Sequence, residues 1–300
     1  MAAPRRLHPE RPLQRLFDQD LIVARKRRAA AEAAPGAAFL AERVAEDLAD
    51  RLSAVERRFA DAAALHCITP HAAEALARSG KVDRVTRIEA DPVLLAGGEG
   101  LVAAPDRVPL APASADLVVS LLSLHEANDV PGQLVQIRRA LRPDGLFLGA
   151  MAGGGTLAEL RDSLLAAETE VSGGAAPRVM PFADVREAGA LLQRAGFALP
   201  VADVDTITVR YDSMFGLLRD LRAMGATSAL AERPRRPATR ALFRRAAEHY
   251  AGRHADRDGR VRATFSIVWL SGWAPHESQQ KPLRPGSATA SLKDFLEGGG

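Results

Sequence analysis

The chain has 300 residues, of which 47% are hydrophobic, and a formal net charge of +3 at pH 7. This length fits one large α/β domain with insertions or two small domains, and the apolar fraction is ample for a buried core. No apolar run reaches the ~20 residues of a membrane-spanning helix, so we predict no integral membrane segment. Cys67 is the only cysteine, which excludes an intramolecular disulfide and favours a reducing, cytoplasmic setting.

The densest basic run is Arg25-Lys26-Arg27-Arg28, inside a predicted helix. It has no interleaved aromatic residues that could stack on bases, so we predict no nucleic-acid partner. The run could bind an acidic partner, but we favour a solvated helix face, which is the usual setting of such a charge cluster.

The first part of the chain alternates between helical and extended patterns. Apolar residues at helical spacing predict amphipathic helices, and short apolar runs between turn residues predict strands. The predicted elements, in chain order, are helices over 13–30 and 39–52, a strand over 62–68, a helix over 70–79, and strands over 85–89, 101–103 and 116–122. The strand over 116–122 is almost wholly apolar, as a central parallel strand buried on both faces requires.

The second part of the chain continues this pattern. Its predicted elements are a helix over 130–141, a turn over 142–145, a strand over 146–151, helices over 156–170 and 184–195, a strand over 201–211, helices over 213–224 and 238–251, and a strand over 264–270. Thr156 and Glu159 have the spacing of a capping box, in which each side chain binds the backbone N–H of the other residue.

The alternation of strands and helices predicts an α/β fold with a doubly wound, mostly parallel sheet. We expect an N-terminal helical cap over 1–58, the α/β domain over 59–273 and a mobile tail over 274–300. A helical insertion over about 213–253 precedes the last strand of the domain.

Four stretches from residue 141 onwards carry a family resemblance. They are LRPDG at 141–145, GGGTLAELR at 153–161, DLRAMG at 220–225 and HESQ at 276–279. With them, the sequence resembles the complex I assembly factor 5 branch of the class I S-adenosylmethionine (SAM) dependent methyltransferases, close to the biotin-synthesis methyltransferases. The resemblance implies a seven-stranded Rossmann-like sheet with SAM at the carboxyl ends of the first strands. It also implies a protein partner, a respiratory complex I subunit, on which an arginine is hydroxylated.

The cofactor loop departs from the family pattern. The Asp-x-Gly-x-Gly-x-Gly turn of the family falls on Ala64, His66, Ile68 and Pro70 of this chain. Glycine belongs in such a turn because a Cβ obstructs the close approach of the backbone to the ligand. The acidic residue that binds the ribose matches Asp91. The cofactor contacts that the resemblance implies fall on Asp91, Leu65, His66, Cys67, Ser120 and Leu121.

Two residues are candidates for catalysis. His125 and Asp129 follow the apolar strand over 116–122, and they could act as a general base and its partner at the mouth of the cleft. His66 and His71 flank Cys67, but two histidines without a carboxylate do not complete an iron site, so we predict no metal.

Two functions remain as alternatives. The first is a SAM-dependent enzyme of methyltransferase fold that modifies a respiratory-complex subunit. The second is a non-catalytic assembly factor or chaperone that keeps the fold as a protein-docking surface. The absence of glycine from residues 60–79 favours the second alternative.

Overall fold

A computed structural model describes residues 15–174, 176–234 and 237–279 of the protein. The strands are β1 (Phe59–Leu65), β2 (Val82–Glu89), β3 (Leu101–Val102), β4 (Ala115–Leu121), β5 (Leu141–Ala152), β6 (Ala198–Tyr211) and β7 (Val261–Trp273). The helices are α1 (Gln19–Glu32), α2 (Phe39–Ser53), α3 (His71–Arg78), α4 (Val130–Ala140), α5 (Ala158–Ser172), α6 (Val185–Arg194), α7 (Met214–Ala223) and α8 (Arg240–His254).

These seven strands form one sheet in the order β3-β2-β1-β4-β5-β7-β6. Strands β1 to β5 pair in parallel, whereas β7 lies antiparallel between β5 and β6. An α-helix follows each of the parallel strands β1, β4 and β5 along the chain, and α7 and α8 are inserted before β7. The predicted α/β fold with a mostly parallel seven-stranded sheet is therefore confirmed.

The strand order reverses at the centre of the sheet, where β1 lies between β2 and β4. All of β4 except Asp116 is buried, because its apolar residues pack on both faces of the sheet. In open α/β sheets, ligands bind at the carboxyl ends of the strands beside such a reversal. We therefore expect a ligand site at the loops that follow β1 and β4.

Two local predictions were wrong. The first strand ends at Leu65, so His66, Cys67 and Ile68 belong to the loop at the carboxyl edge of the sheet. The predicted turn over 142–145 does not separate two elements, because β5 already begins at Leu141. The pairing of β5 with β4 shifts register between Leu141 and Leu146. Asp144 takes up the irregularity with a φ of 64°.

The predicted capping box at Thr156 and Glu159 is also wrong. The Thr156 hydroxyl donates to the Ser266 carbonyl at 2.9 Å and accepts from the Ser266 N–H at 3.0 Å. Glu159 accepts a hydrogen bond from Thr264. Both side chains therefore join the start of α5 to β7 instead of capping the helix.

A complete capping box lies at the start of α6. The Asp184 carboxylate accepts from the Glu187 N–H at 2.8 Å, and the Glu187 carboxylate accepts from the Asp184 N–H at 3.1 Å. The reciprocal bonds satisfy two backbone donors that a helix start otherwise leaves free.

The N-terminal segment packs against the carboxyl edge of the sheet. The backbone N–H and C=O of Phe17 both bond to the side chain of Asn128, at 2.8 and 3.0 Å. The predicted domain boundaries at 58 and 273 stay predictions, and residues 1–14 and 280–300 lie outside the described ranges. In the part of the chain that is described, no helix is both long and apolar enough to cross a bilayer.

Replacing Asp184 by alanine will lower the free energy of unfolding by about 1 kcal/mol, because the Glu187 N–H loses its acceptor. Urea denaturation of the variant and the wild type measures the loss. Arg186→Ala is the matched control in the same helical turn, since Arg186 is exposed, and it should leave the stability nearly unchanged. An equal loss in both variants would contradict the capping role.

Candidate functional site

A cavity of about 770 Å³, which we call the chamber, lies at the carboxyl ends of β1, β4 and β5. Helices α1, α2, α5, α7 and α8 contribute residues to its lining. Most of the lining is apolar, as Leu160, Leu164, Leu218 and Phe265 illustrate. The position of the chamber at the carboxyl edge makes it the candidate functional site of this fold.

The loop after β1 contributes Cys67 and Ile68 to the chamber lining. His66 and Ile68 have φ angles of 50° and 66°, in the left-handed region. Glycine adopts this region without strain, whereas a β-branched residue such as isoleucine is a genuine outlier there. Two of the three positions at which the resemblance places glycine, His66 and Ile68, therefore keep a backbone that suits glycine.

A second and much smaller pocket, which we call the inner pocket, lies beneath α1 and has a volume of about 30 Å³. His66, Glu89 and Gln133 line it from the α/β domain, and Ile22 and Lys26 line it from α1. Because Glu89 ends β2 and His66 follows β1, the nucleoside of SAM is expected here. The pocket has room for about one water molecule, whereas small-molecule sites measure ~300–1,000 Å³.

Ion pairs hold α1 over the inner pocket. Lys26 and Glu126 form a salt bridge, and their residues are only 7% and 6% exposed. Arg27 pairs with Asp91 through its Nε, at 3.2 Å from Oδ2. The other carboxylate oxygen of Asp91 accepts from the Val93 N–H at 2.9 Å. Both carboxylate oxygens of Asp91, the predicted ribose ligand, thus have partners, Arg27 of α1 and the Val93 N–H in the turn that follows Asp91.

SAM does not fit this arrangement of the chain. Ile22 and Lys26 of α1 line the inner pocket, whose volume of about 30 Å³ is too small for a nucleoside. Pro70 also lacks the N–H that a phosphate- or carboxylate-binding loop would offer at that position.

The other predicted cofactor contacts lie in different surroundings. Leu65 and Leu121 are core residues, 0% and 4% exposed, and line neither cavity. Ser120 is buried, with its hydroxyl 3.0 Å from that of Ser123. Cys67 lines the chamber, and burial raises the pKa of its thiol, which keeps it protonated.

The two catalytic candidates are not brought together in the chamber. His125 lines it, but Asp129 does not, and the Asp129 carboxylate caps α4 by accepting from the Gly132 N–H at 2.8 Å. His125 Nδ1 accepts from the Ala152 N–H at 3.3 Å, and burial lowers the pKa of its imidazole to about 4. Neutral His125 in this tautomer carries its proton on Nε2, where it is a hydrogen-bond donor and not a base.

Metal binding was not predicted, and the described ranges contain no group of three or more His, Cys, Asp or Glu side chains placed to hold a metal ion.

Sequence comparison gives the family. The mitochondrial arginine-hydroxylase NDUFAF5 of Homo sapiens is 38% identical over 292 residues, which cover 93% of this chain and 83% of that protein. The protein of the same name from Danio rerio is 38% identical over 264 residues, covering 86% of this chain and 82% of the relative. This chain belongs to the NDUFAF5 family.

The fold comparison agrees with this family. Residues 65–149 match the family described as methyltransferase domain. The YcgJ protein of Bacillus subtilis has a solved structure that covers 78% of this chain and 99% of its own, with a TM-score of 0.53 and 14% identity. At that identity the likeness establishes the class I methyltransferase fold alone.

Apart from His66, sequence reasoning missed the residues of the inner pocket. The basic run was interpreted as a solvated helix face, which fits exposed Arg27 and Arg28 but is wrong for Lys26. The available signal was the helical spacing, because Lys26 follows Ile22 by four residues and both are buried on one face of α1. Nothing in the sequence indicated that Glu126 would be its partner.

Replacing Glu89 by glutamine tests the electrostatics of the inner pocket. Burial raises the pKa of the Glu89 carboxyl from 4.5 to about 7, so folding takes up a proton between these pH values. Linkage then makes stability fall as the pH rises from 4.5 to 7. Over this window we expect the wild type to lose on the order of 3 kcal/mol relative to Glu89→Gln, measured by urea unfolding.

The contribution of His125 to the pH dependence of stability has the opposite sign. Its lowered pKa makes stability fall as the pH drops from 6.5 towards 4. That contribution is common to both proteins and cancels in their difference. Parallel pH profiles for the wild type and Glu89→Gln would contradict the raised pKa.

Proposed function

We propose that this protein is an assembly factor for a respiratory complex, which binds an arginine-bearing segment of a complex I subunit at the chamber, and that it does so without SAM. This proposal combines family membership with the arrangement of the carboxyl edge. It takes the second of the two functional alternatives as the one that the geometry supports best.

The position of α1 carries the proposal. The helix lies over the inner pocket, which is left with about 30 Å³, and is held there by the buried Lys26–Glu126 pair and by the pairing of Arg27 with Asp91. The neighbouring chamber stays open, with a volume of about 770 Å³. The fold therefore keeps a site that a partner segment could enter while the cofactor position is closed.

The chemistry of the partner follows from the relatives and from the chamber. The NDUFAF5 relatives are named arginine hydroxylases, so the matching partner presents an arginine. An arginine side chain has an apolar stem that suits the leucine-rich lining and a charged head that needs polar partners. Glu126 is a carboxylate that lines the chamber.

Hydroxylation of that arginine is the second candidate function, favoured by the 38% identity to proteins of that name. It is distinguished by mass spectrometry of the bound subunit, where a gain of one oxygen atom on the arginine would support it. The relatives are named mitochondrial, and a cytoplasmic setting for this chain stays a prediction that rests on its single buried cysteine.

Calorimetric titration tests the closed cofactor position. We expect neither SAM nor S-adenosylhomocysteine to bind at millimolar concentration, because α1 occupies the nucleoside space. Glycine at His66, Ile68 and Pro70 should not restore binding by itself, since Lys26 and Ile22 remain in place. Micromolar binding of SAM to the wild type would refute the cofactor-free proposal.

Co-purification tests the docking role. Tagged protein, expressed in cells that make both it and complex I, should retain a complex I subunit that mass spectrometry identifies. Leu218→Arg places a charge in the apolar chamber and should abolish this capture, because Leu218 lines it. Phe215→Arg is the matched control on the same helix, since Phe215 is 49% exposed and outside the chamber lining. Equal capture by both variants would exclude the chamber as the docking site.

A further inference from the structure

A groove of about 560 Å³, which we call the outer groove, is formed by the start of α7, by α8 and by the start of β7. Phe215 is 49% exposed, so part of the groove surface is apolar and open to water. The apolar residues of the lining include Met214, Phe215, Phe243, Ala247 and Val261. A groove of this size and composition suits the apolar side chains of a peptide.

The outer groove and the chamber are separate cavities that share one aromatic side chain. Phe243 lines both of them, whereas Leu218 lines only the chamber and Phe215 lines only the outer groove. A ligand of the outer groove therefore does not need to enter the chamber. The docking of a complex I subunit at the chamber leaves the outer groove without an assigned occupant.

Two arginines of α8 lie one helical turn apart in the lining of the outer groove. Arg240 and Arg244 are both exposed. Arg240 has no carboxylate partner among the described residues, and Arg244 has only Glu248 of its own helix, at 4.0 Å. The acids of the lining, Asp212 and Glu248, pair more closely with other arginines. Charge complementarity therefore favours a ligand with acidic side chains.

One short stretch of the sequence outside the described ranges has matching chemistry. It spans residues 291–297 and reads SLKDFLE. Leu292, Phe295 and Leu296 have the i, i+3, i+4 spacing of peptides that bind apolar grooves as helices. Asp294 and Glu297 are the only acidic residues between positions 280 and 300, and each adjoins one of these apolar residues.

The chain is long enough to bring this stretch to the outer groove. Gln279 donates to the Asp144 carboxylate at 2.8 Å and to the Ala274 carbonyl at 2.9 Å, so it lies beside the start of β5. The outer groove is at the opposite end of β7, which begins at Val261 and measures ~40 Å. Thirteen residue steps separate Gln279 from Leu292 and span at most ~47 Å. The stretch therefore reaches the groove from the Val261 end.

We propose that the outer groove is the docking site for residues 291–297 of the same chain, with the apolar residues on its lining and the two acids at Arg240 and Arg244. Docking removes apolar surface of both the groove and the stretch from water. It also gives both arginines carboxylate partners. Covalent attachment favours the stretch of the same chain over that of a second copy, because it raises the effective concentration.

Disulfide trapping in the full chain tests this contact. Ser291→Cys with Ala251→Cys places one thiol at the start of the stretch and the other in the groove lining, in the C-terminal half of α8. Ser291→Cys with Ala241→Cys is the matched control, since Ala241 is an exposed alanine of the same helix outside that lining. Cys67 is buried, and burial raises the pKa of its thiol, which keeps it out of the reaction.

On mild oxidation, the pair at Ala251 should form an intramolecular disulfide about tenfold faster than the pair at Ala241, as followed by mass spectrometry. Equal rates for the two pairs would overturn the proposal. So would a disulfide between two chains at Ala251, which would show that the groove takes the stretch of a second copy.

Reversal of charge tests the recognition of the acids. Arg240→Glu/Arg244→Glu should slow the trapping at Ala251 about fivefold, because two exposed ion pairs become repulsive contacts. Asp294→Arg/Glu297→Arg in that background should restore the rate, which a loss of folding would not allow. An unchanged rate after the first reversal, or no recovery after the second, would contradict pairing of the acids with α8.

Shortening the path tests its origin in the same chain. Deletion of residues 286–290 leaves eight steps, which span at most ~29 Å, and should abolish the intramolecular disulfide. Replacement of the same five residues by a glycine-serine segment of equal length should preserve it. Persistence of the disulfide after the deletion would overturn the proposal. If trapping occurs as expected and no complex I subunit co-purifies, the groove contact stands and the proposed function falls.

Discussion

The buried ion pair between Lys26 and Glu126 is the constraint on which the carboxyl edge of this protein depends. Breaking a buried pair from one side costs ~3–5 kcal/mol, because the remaining charge is left in an apolar setting. Glu126 therefore fixes Lys26, and Lys26 fixes α1 across the sheet. The helix in turn closes the inner pocket, engages Asp91 through Arg27 and forms part of the chamber lining.

The loop after β1 depends on the same surroundings. His66 and Ile68 hold left-handed backbone angles that cost non-glycine residues energy, so the neighbouring structure must impose them. The His66 N–H donates to the Ile88 carbonyl at 2.7 Å, and the Ile68 N–H donates to Glu89. The pairing of β1 with β2 thus preserves a turn suited to glycine, whether or not a ligand is bound there.

Membership of the NDUFAF5 family accounts for the methyltransferase fold, since residues 65–149 match the methyltransferase domain. A fold of this kind hosts many activities, and function depends on the groups at its edge. Here the edge combines an apolar chamber with acceptors that face a lysine of the same chain.

Local patterns were sufficient to predict the sheet, because apolar runs such as 116–122 and helical spacings such as those of α2 depend on neighbours in sequence. The strand pattern indicated His125 as a residue at the carboxyl edge, and the family resemblance indicated Asp91. They could not predict that Lys26 would meet Glu126, which lies a hundred residues away. The burial, tautomer and pKa of a side chain depend on which distant segments pack around it and exclude water. The tertiary structure alone therefore decided which groups form the site.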